Sequence, residues 1–364
     1  MKIYTAEDVL RVAKRFNNTR RNYLLVNPLQ GKHLPISPTG ALEMMNALGL
    51  KVAEKFSSAR LVIGFAETAT AIGAVVAKNL SEECFYIQTT RENFAGEFVD
   101  FLEEHSHAPE QKLFAENLSE LINQTNEIIF VDDELSTGKT LLNIVRQLKD
   151  KFPALKDKKI CAASIINRLS EENLAALAAE NISCAYLVKL NQSFDVENIS
   201  VEPAREVEPI GKDISFHKVN FSADARRGIK IGDYFAQCGL TGKFIVDVLK
   251  REKISGEVLI LGTEEFMLPA IIAGRYLESE NFFVVTHSTT RSPIGISRAD
   301  NYPIREGFKL RSFYDKTRTT YIYNLKHYDA AIIMTNAENF SAGLEDLISA
   351  LNVHGVGKIF LIGG

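Results

Sequence analysis

No stretch of the 364-residue chain approaches the roughly 18 consecutive apolar residues of a membrane-spanning helix. The opening segment MKIYTAEDVLRVAKRF carries charges throughout and has no apolar signal core. A cytoplasmic protein without membrane contact is expected. A basic excess is missing as well: the formal net charge is -4, whereas a nucleic-acid binder gathers lysine and arginine on one face. Small molecules are therefore the expected partners. Cysteine is scarce, and Cys84, Cys161, Cys184 and Cys238 show no CxxC or other metal-ligand spacing. Three of them lie in or beside apolar runs, so reduced structural thiols are expected.

What the chain does have is apolar content, 46% of its residues against 24% charged, enough for two domains with separate cores. Short, continuously apolar runs alternate with helical patterns: LVIGF (61–65), CFYIQTT (84–90), IIFVDD (128–133) and KICAASIIN (159–167). That rhythm is the rhythm of βα units, and runs apolar at every position suit parallel strands covered on both faces. Helices are expected at 69–79 and 138–151, the latter with Leu141, Ile144, Val145 and Leu148 on one side. From about residue 190 the pattern breaks into NQSFDVENISVEPAREVEPIGKDISF, which has charges, two prolines and no period. It resumes with EVLILG (257–262), FFVVTHS (282–288), AAIIMTN (330–336) and KIFLIGG (358–364). The reading is a domain over 1–205, a linker over 206–230 and a second α/β domain over 231–364.

The most informative segment is IIFVDDELSTGKT (128–140), a buried strand that ends in two acids and runs through small residues into a helix. Backbone N–H groups at Ser136, Thr137 and Gly138, with the helix N-terminus behind them, form an anion cradle. Asp132 and Asp133 stand next to it, where carboxylates accept hydrogen bonds from hydroxyls. A phosphate beside a diol describes a phosphorylated ribose. A nucleoside-triphosphate loop ending in GKT would need glycine where Asp133 stands. Taken by themselves, the acids also fit a solvated strand end and the STG a helix cap.

DDELSTGKT resembles the 5-phosphoribosyl-1-pyrophosphate (PRPP) motif of type I phosphoribosyltransferases. The resemblance implies that Asp132 and Asp133 hold the ribose hydroxyls and serve the metal, and that Ser136, Thr137, Gly138, Lys139 and Thr140 hold the 5′-phosphate. Upstream, LVIG running into FAETAT stands where that family has its pyrophosphate loop, implying roles for Ala66, Glu67, Thr68 and Ala69. More narrowly, TTRSP (289–293), GKHLP (31–35), GFAETATAIG (64–73) and EEHSHA (103–108) are similar to the two-part phosphoribosyltransferase found near tellurite-resistance and stress genes, whose C-terminal region is named for a TRSP motif. The implied fold is α/β, a parallel-sheet type I phosphoribosyltransferase domain with an N-terminal hood, followed by a TRSP-type domain. The implied reaction is Mg²⁺-dependent ribosyl transfer from PRPP to a base-like small-molecule acceptor, releasing pyrophosphate, in the making of a nucleoside-like metabolite. A homodimer is a candidate assembly.

Pyrophosphate leaving C1′ calls for charge neutralisation and exclusion of water. Mg²⁺ takes oxygen ligands and keeps several waters, so the absence of a Cys/His cluster is no objection. The family's mobile hood segment corresponds to 91–127. There Glu104, His105 and His107 are candidates for proton transfer near neutral pH, with Arg91 beside them. Lys32 and His33, at a turn marked by Gly31, and Arg168, next to Asn167 at a strand end, are candidate acceptor contacts.

An internal alignment sets residues 63–93 on 261–293, with TTR recurring after a strand–glycine turn. The second domain is thus read as a degenerate copy of the first, with Thr335-Asn336 where the acid pair stood. A second anion pocket is expected there from Thr263, Glu264, Glu265, Thr289, Thr290, Arg291 and Ser292, with Arg311, Tyr314 and Arg318 nearby. Two rival classes remain. A PRPP-sensing regulator would need an output element, and no helix-turn-helix or basic segment supplies one. A scaffold would need an exposed apolar or repetitive surface.

Overall fold

The computed structural model describes residues 2–17, 22–101, 111–208, 214–219, 221–338 and 340–363. The EEHSHA segment, with Glu104, His105 and His107, lies outside the described residues. Along the chain the strands are β1 (Arg11–Lys14), β2 (Tyr23–Val26), β3 (Leu61–Gly64), β4 (Phe85–Gln88), β5 (Phe98–Phe101) and β6 (Gln111–Phe114). They continue with β7 (Glu127–Leu135), β8 (Lys159–Asn167), β9 (Ile182–Lys189), β10 (Arg205–Glu206), β11 (Ser215–Lys218) and β12 (Ile229–Lys230). The last are β13 (Glu257–Gly262), β14 (Phe283–Ser288), β15 (Gly307–Arg311), β16 (Thr319–Tyr323), β17 (Ala330–Thr335) and β18 (Lys358–Gly363).

The chain forms two compact units. The first comprises Met1–Thr5, Glu43–Gln192 and Ala223–Ala236. Its six-stranded sheet runs β12-β4-β3-β7-β8-β9, parallel throughout except for β12, which lies antiparallel on β4. The central strands are buried along their length because helices cover both faces: β3 reads buried at every residue, and β8 at every residue after Lys159. The helix Lys139–Lys151 buries Leu141, Ile144, Val145 and Leu148, the i, i+3, i+4, i+7 stripe of an amphipathic helix. Each such side chain contributes roughly 1.5–3 kcal/mol on leaving water. These residues join Leu61, Ile63, Ile128, Phe130, Ile160 and Ala162 in one core, which fixes the helix start against the end of β7. A separate antiparallel hairpin, β5 on β6, follows β4.

The second unit comprises Ala6–Leu42, Ser193–Ser222 and Gln237–Gly364. Its five-stranded sheet, β11-β18-β17-β13-β14, is parallel at every pairing. A three-stranded sheet, β10-β15-β16, and the antiparallel pair β1–β2 complete it. The helix Leu268–Ser279 buries Leu268, Ile271, Ile272 and Leu277.

The α/β class with mainly parallel sheets is the one the apolar runs imply. The units, however, interleave along the chain where contiguous domains were expected. Ala6–Leu42 belongs with the second unit, where Arg15 N–H donates to the Asn22 carbonyl and Phe16 N–H to that of Pro293. The expected linker is not structureless either: it supplies β11 to one sheet and β12 to the other. Those strands are short, of four and two residues, too brief for a period to register in composition.

Candidate active site at the carboxyl ends of β3 and β7

β3 and β7 are neighbours with Gly64 opposite Val131, so the segment leaving β3 and the acids ending β7 meet at the carboxyl edge of the sheet. Open parallel sheets present ligand-facing residues at that edge. The segment after β3 is pinned from both sides. Phe65 N–H donates to Val131 O (2.9 Å), and Ala66 N–H to Thr89 Oγ1 (2.8 Å). Thr89 Oγ1 in turn donates to Gln111 Oε1 (2.5 Å). The Ala66–Glu67 peptide is cis. Gly64 is required by close approach, because a Cβ there would stand 2.6 Å from the Tyr86 hydroxyl. That hydroxyl is committed to Thr70 O (2.6 Å) at the start of the helix Thr70–Leu80.

The acids sit inside β7 rather than beyond it, because pairing with β8 continues through Asp132–Ser164 to Leu135–Asn167. Asp133 Oδ1 accepts from Thr68 Oγ1 at 2.8 Å, and Asp132 Oδ1 accepts from the Asp133 N–H at 2.9 Å. Burial raises both carboxyls above the ordinary value near 3.8, Asp132 well above it, with the Asp133 charge as its second cause and the Glu134 charge adding to the rise at Asp133. Crowded carboxylates of this kind favour a cation or a hydroxyl donor. Glu134 is spoken for: Arg168 Nη1 lies 3.1 Å from Glu134 Oε1, and its Nη2 donates to Gln192 O.

Beyond Leu135 the chain turns through Ser136 and Thr137 to Gly138, whose φ of +71° is a left-handed conformation suited to glycine. A Cβ at Gly138 would also stand 3.0 Å from Leu169 Cδ2. The helix begins at Lys139, and its first turn leaves N–H groups without intrahelical acceptors. Thr137, Lys139 and Thr140 are exposed, and Ser136 is partly so. An anion cradle therefore opens beside a carboxylate pair.

The family model described as phosphoribosyl transferase matches residues 9–193. The chain belongs to this family. A second model, the TRSP domain C-terminal to that transferase, matches residues 235–351. The enzyme is thus a phosphoribosyltransferase with a TRSP domain, and no curated protein matches its sequence. Among solved structures, orotate phosphoribosyltransferase from Aeropyrum pernix is 16% identical, covering 50% of this chain and 89% of its own, with a TM-score of 0.34. Adenine phosphoribosyltransferase from Leishmania donovani is 15% identical over 54% of this chain and 84% of its own, with a TM-score of 0.37. The Giardia lamblia enzyme complexed with 9-deazaadenine is 11% identical over 51% and 97%, with a TM-score of 0.36.

In this phosphoribosyltransferase the structure brings Ala66, Glu67, Thr68 and Ala69 together with Asp132 and Asp133, in one unit and along one sheet edge. Arg91 is exposed on the segment after Thr90. Asn167 is buried, its Oδ1 accepting from Leu169 N–H (3.0 Å) and Lys189 Nζ (3.1 Å). Lys189 also donates to Leu169 O. Lys189 and Gln111 escape a motif search, since each is placed by a strand pairing rather than by a local pattern.

Lys32 and His33, the candidate acceptor contacts near Gly31, belong to the second unit and not to the unit that carries Asp132 and Asp133. Both are buried, and Lys32 Nζ donates to Glu264 O (2.8 Å), Thr289 O (3.0 Å) and Ser288 Oγ (3.4 Å). In that unit Thr263, Glu264, Glu265, Thr289 and Thr290 are buried, with Arg291 and Ser292 at their side. Arg291 does not stand over an open anion pocket. Its Nε lies 2.9 Å from Glu264 Oε2 and its Nη2 3.3 Å from Glu265 Oε1. Arg311 is engaged elsewhere, by Asp346 at 2.7 Å. All four cysteines are free, and burial pushes the Cys84 thiol up to about 12. No described helix is long and apolar enough to cross a membrane.

Proposed function

We propose that the first unit transfers the 5-phosphoribosyl group of PRPP to a base-like acceptor and releases pyrophosphate, serving the synthesis of a nucleoside-like metabolite. The observation carrying this reading is the Thr68–Asp133 hydrogen bond, which joins the segment after β3 to the acid pair standing beside the phosphate cradle. Asp132 and Asp133 accept the ribose 2′- and 3′-hydroxyls, and Ser136–Thr140 with the helix N-terminus receive the 5′-phosphate. Ala66–Ala69 line the pyrophosphate. The C1′–oxygen bond to pyrophosphate breaks as the acceptor bond forms, and positive charge develops on the ribose beside the carboxylates.

Mg²⁺ fits this donor set, because two carboxylates whose protonation is raised by burial and by each other are hard oxygen ligands that gain from a cation. Bound with PRPP, the ion would neutralise the leaving diphosphate. Glu104, His105 and His107 are the proposed proton donors and acceptors, on the strength of the sequence resemblance, with Arg91 near the leaving group. Arg168, at the end of β8, is the proposed acceptor contact on this unit.

The test is incubation with PRPP, Mg²⁺ and a metabolite extract, followed by mass spectrometry for a phosphoribosyl adduct and for pyrophosphate. The Asp132→Asn/Asp133→Asn protein serves as the control. An adduct formed equally well by the double variant would rule out this assignment of the site.

A further inference from the structure

The second unit repeats the strand order of the first and several of its hydrogen bonds. The order β4-β3-β7-β8 in one sheet matches β14-β13-β17-β18 in the other, parallel at each step, and the hairpin β5–β6 is matched by β15–β16. Thr89 N–H donates to Gly64 O (2.9 Å) as Thr289 N–H does to Gly262 O (3.1 Å). Ala66 N–H donates to Thr89 Oγ1 as Glu264 N–H does to Thr289 Oγ1 (3.0 Å). Thr90 N–H reaches Lys112 O and Thr290 N–H reaches Tyr321 O, each at 2.9 Å, tying both TTR segments to the second strand of their hairpins. Glu92 N–H donates to Thr90 Oγ1 (3.0 Å), and Ser292 N–H to Thr290 Oγ1 (3.2 Å).

These bonds fix the correspondence residue by residue. Glu264 stands where Ala66 stands in the first unit. Gly64 pairs with Val131 and Gly262 with Met334, so Thr335 corresponds to Asp132 and Asn336 to Asp133. Glu264 and Asn336 are taken up by the connection between β15 and β16. Glu264 is wholly buried. Its Oε1 accepts from Ser312 Oγ (2.6 Å) and Phe313 N–H (3.2 Å), while Oε2 faces Arg291 Nε and Arg318 Nη1 (3.4 Å). The Tyr314 hydroxyl, 3.1 Å from Thr263 Oγ1, donates to Asn336 Oδ1 at 2.7 Å. Thr263 Oγ1 itself donates to Thr335 Oγ1 (2.9 Å).

We propose that the C-terminal unit is a second copy of the transferase fold whose substrate site is filled by its own residues 312–318, and that it takes up no PRPP. The Tyr314 hydroxyl sits on the counterpart of Asp133, the place where a ribose hydroxyl would sit if the first unit is read as above. The Glu264 carboxylate puts negative charge where the first unit has the methyl of Ala66 on its pyrophosphate segment. A polyanion would meet that charge, and the two guanidiniums there are already turned toward it. The TRSP residues Thr289–Pro293 hold this plug, Arg291 from the side and Thr289 through the Glu264 backbone.

The test is hydrogen exchange of the full-length protein, first without ligand. Residues 312–318 should exchange slowly, since Phe313 N–H is bound directly to Glu264. Tyr314→Phe and, separately, Glu264→Gln should speed exchange there by about tenfold or more, the effect of losing one buried hydrogen bond, and leave 128–135 unchanged. Either variant alone suffices if the other does not fold. Addition of PRPP and Mg²⁺ to the Asp132→Asn/Asp133→Asn protein should leave residues 263–265 and 335–338 unaltered. Fast exchange of 312–318 in the unsubstituted protein, or protection of 263–265 by PRPP in the double variant, overturns the proposal. A first unit that binds no PRPP would sink its own assignment without touching the exchange result at 312–318.

Discussion

Thr68 Oγ1 donates to Asp133 Oδ1 at 2.8 Å, a bond between residues that the chain separates by most of a βα unit and a hairpin. Replacing Thr68 with valine keeps the branched shape and removes the donor. A hydrogen bond to a charged group contributes about 1.5–3 kcal/mol to stability, so the ligand-free protein should melt roughly a few degrees lower, and PRPP affinity should fall because Asp133 is no longer held in place. Calorimetric titration checks this, and unchanged affinity in T68V would mean that the bond does not organise the site.

Asp132 makes a prediction of opposite sign for stability. Its folded carboxyl is raised above the ordinary value by burial and by the Asp133 charge, so the ionised form is a cost that the unfolded chain does not bear. The ligand-free protein therefore loses stability as pH climbs through and above the usual carboxylate range. Asp132→Asn removes that loss, and should stabilise the ligand-free protein by on the order of 1 kcal/mol at neutral pH, as relief of strained functional groups commonly does. The gain should shrink toward pH 4, where the carboxyl of the folded protein is already protonated. Urea unfolding at the two pH values decides it, and a D132N protein less stable at neutral pH would refute the electrostatic reading.

Much of the first unit's site is legible because it is contiguous. Asp132 to Thr140 is one strand, one loop and one helix start, so each part of the cradle is announced by its neighbours in the chain. Thr68 is found by its place after LVIG. The remainder depends on distant pairings: Lys189 reaches Asn167 only because β9 lies on β8, and Gln111 reaches Thr89 only because the hairpin folds back. The largest departure is the N-terminal segment. Lys32 meets Glu264 across 232 residues, and nothing local in GKHLP carries that information. The second unit's acids were visible as residues. That Glu264 faces Arg291 rather than leaving it free for a ligand depends on a side-chain direction that sequence does not encode.

His287 gives the second unit an acid-side weakness. It is buried, its Nε2 lies 2.8 Å from Tyr323 O, and burial lowers its pKa from 6.5 to about 4. A lowered folded value means that the unfolded chain takes up the proton first. The contribution is therefore complete above about pH 6.5 and is lost as pH falls toward 4. At about 1.4 kcal/mol per pH unit the loss amounts to roughly 3 kcal/mol. His287→Gln should flatten the dependence of the melting temperature on pH between 6.5 and 5. A slope as steep as that of the unsubstituted protein would show that other groups govern it.

Lys32 offers the clearest separation of a structural from a catalytic role. Its side chain is wholly buried, and its ammonium donates to two backbone carbonyls, Glu264 O and Thr289 O, and to Ser288 Oγ. Glu264 follows β13, and Ser288 and Thr289 stand at the end of β14, so the lysine clamps the two strand ends against each other. Lys32→Met fills much of the same volume but leaves the carbonyls without this donor in a place water does not reach. An unsatisfied buried polar group costs about 1–3 kcal/mol, and two carbonyls are affected, so K32M should lose roughly 2–4 kcal/mol of stability in urea unfolding. Its kcat/KM for PRPP, measured well below the unfolding transition, should stay within about twofold, because the clamp serves the second unit. An acceptor-binding lysine would give the reverse pattern, a stability close to that of the unsubstituted protein with a KM for the acceptor raised by tenfold or more. Finding that pattern would restore GKHLP to the transfer reaction and remove it from the packing of the C-terminal unit.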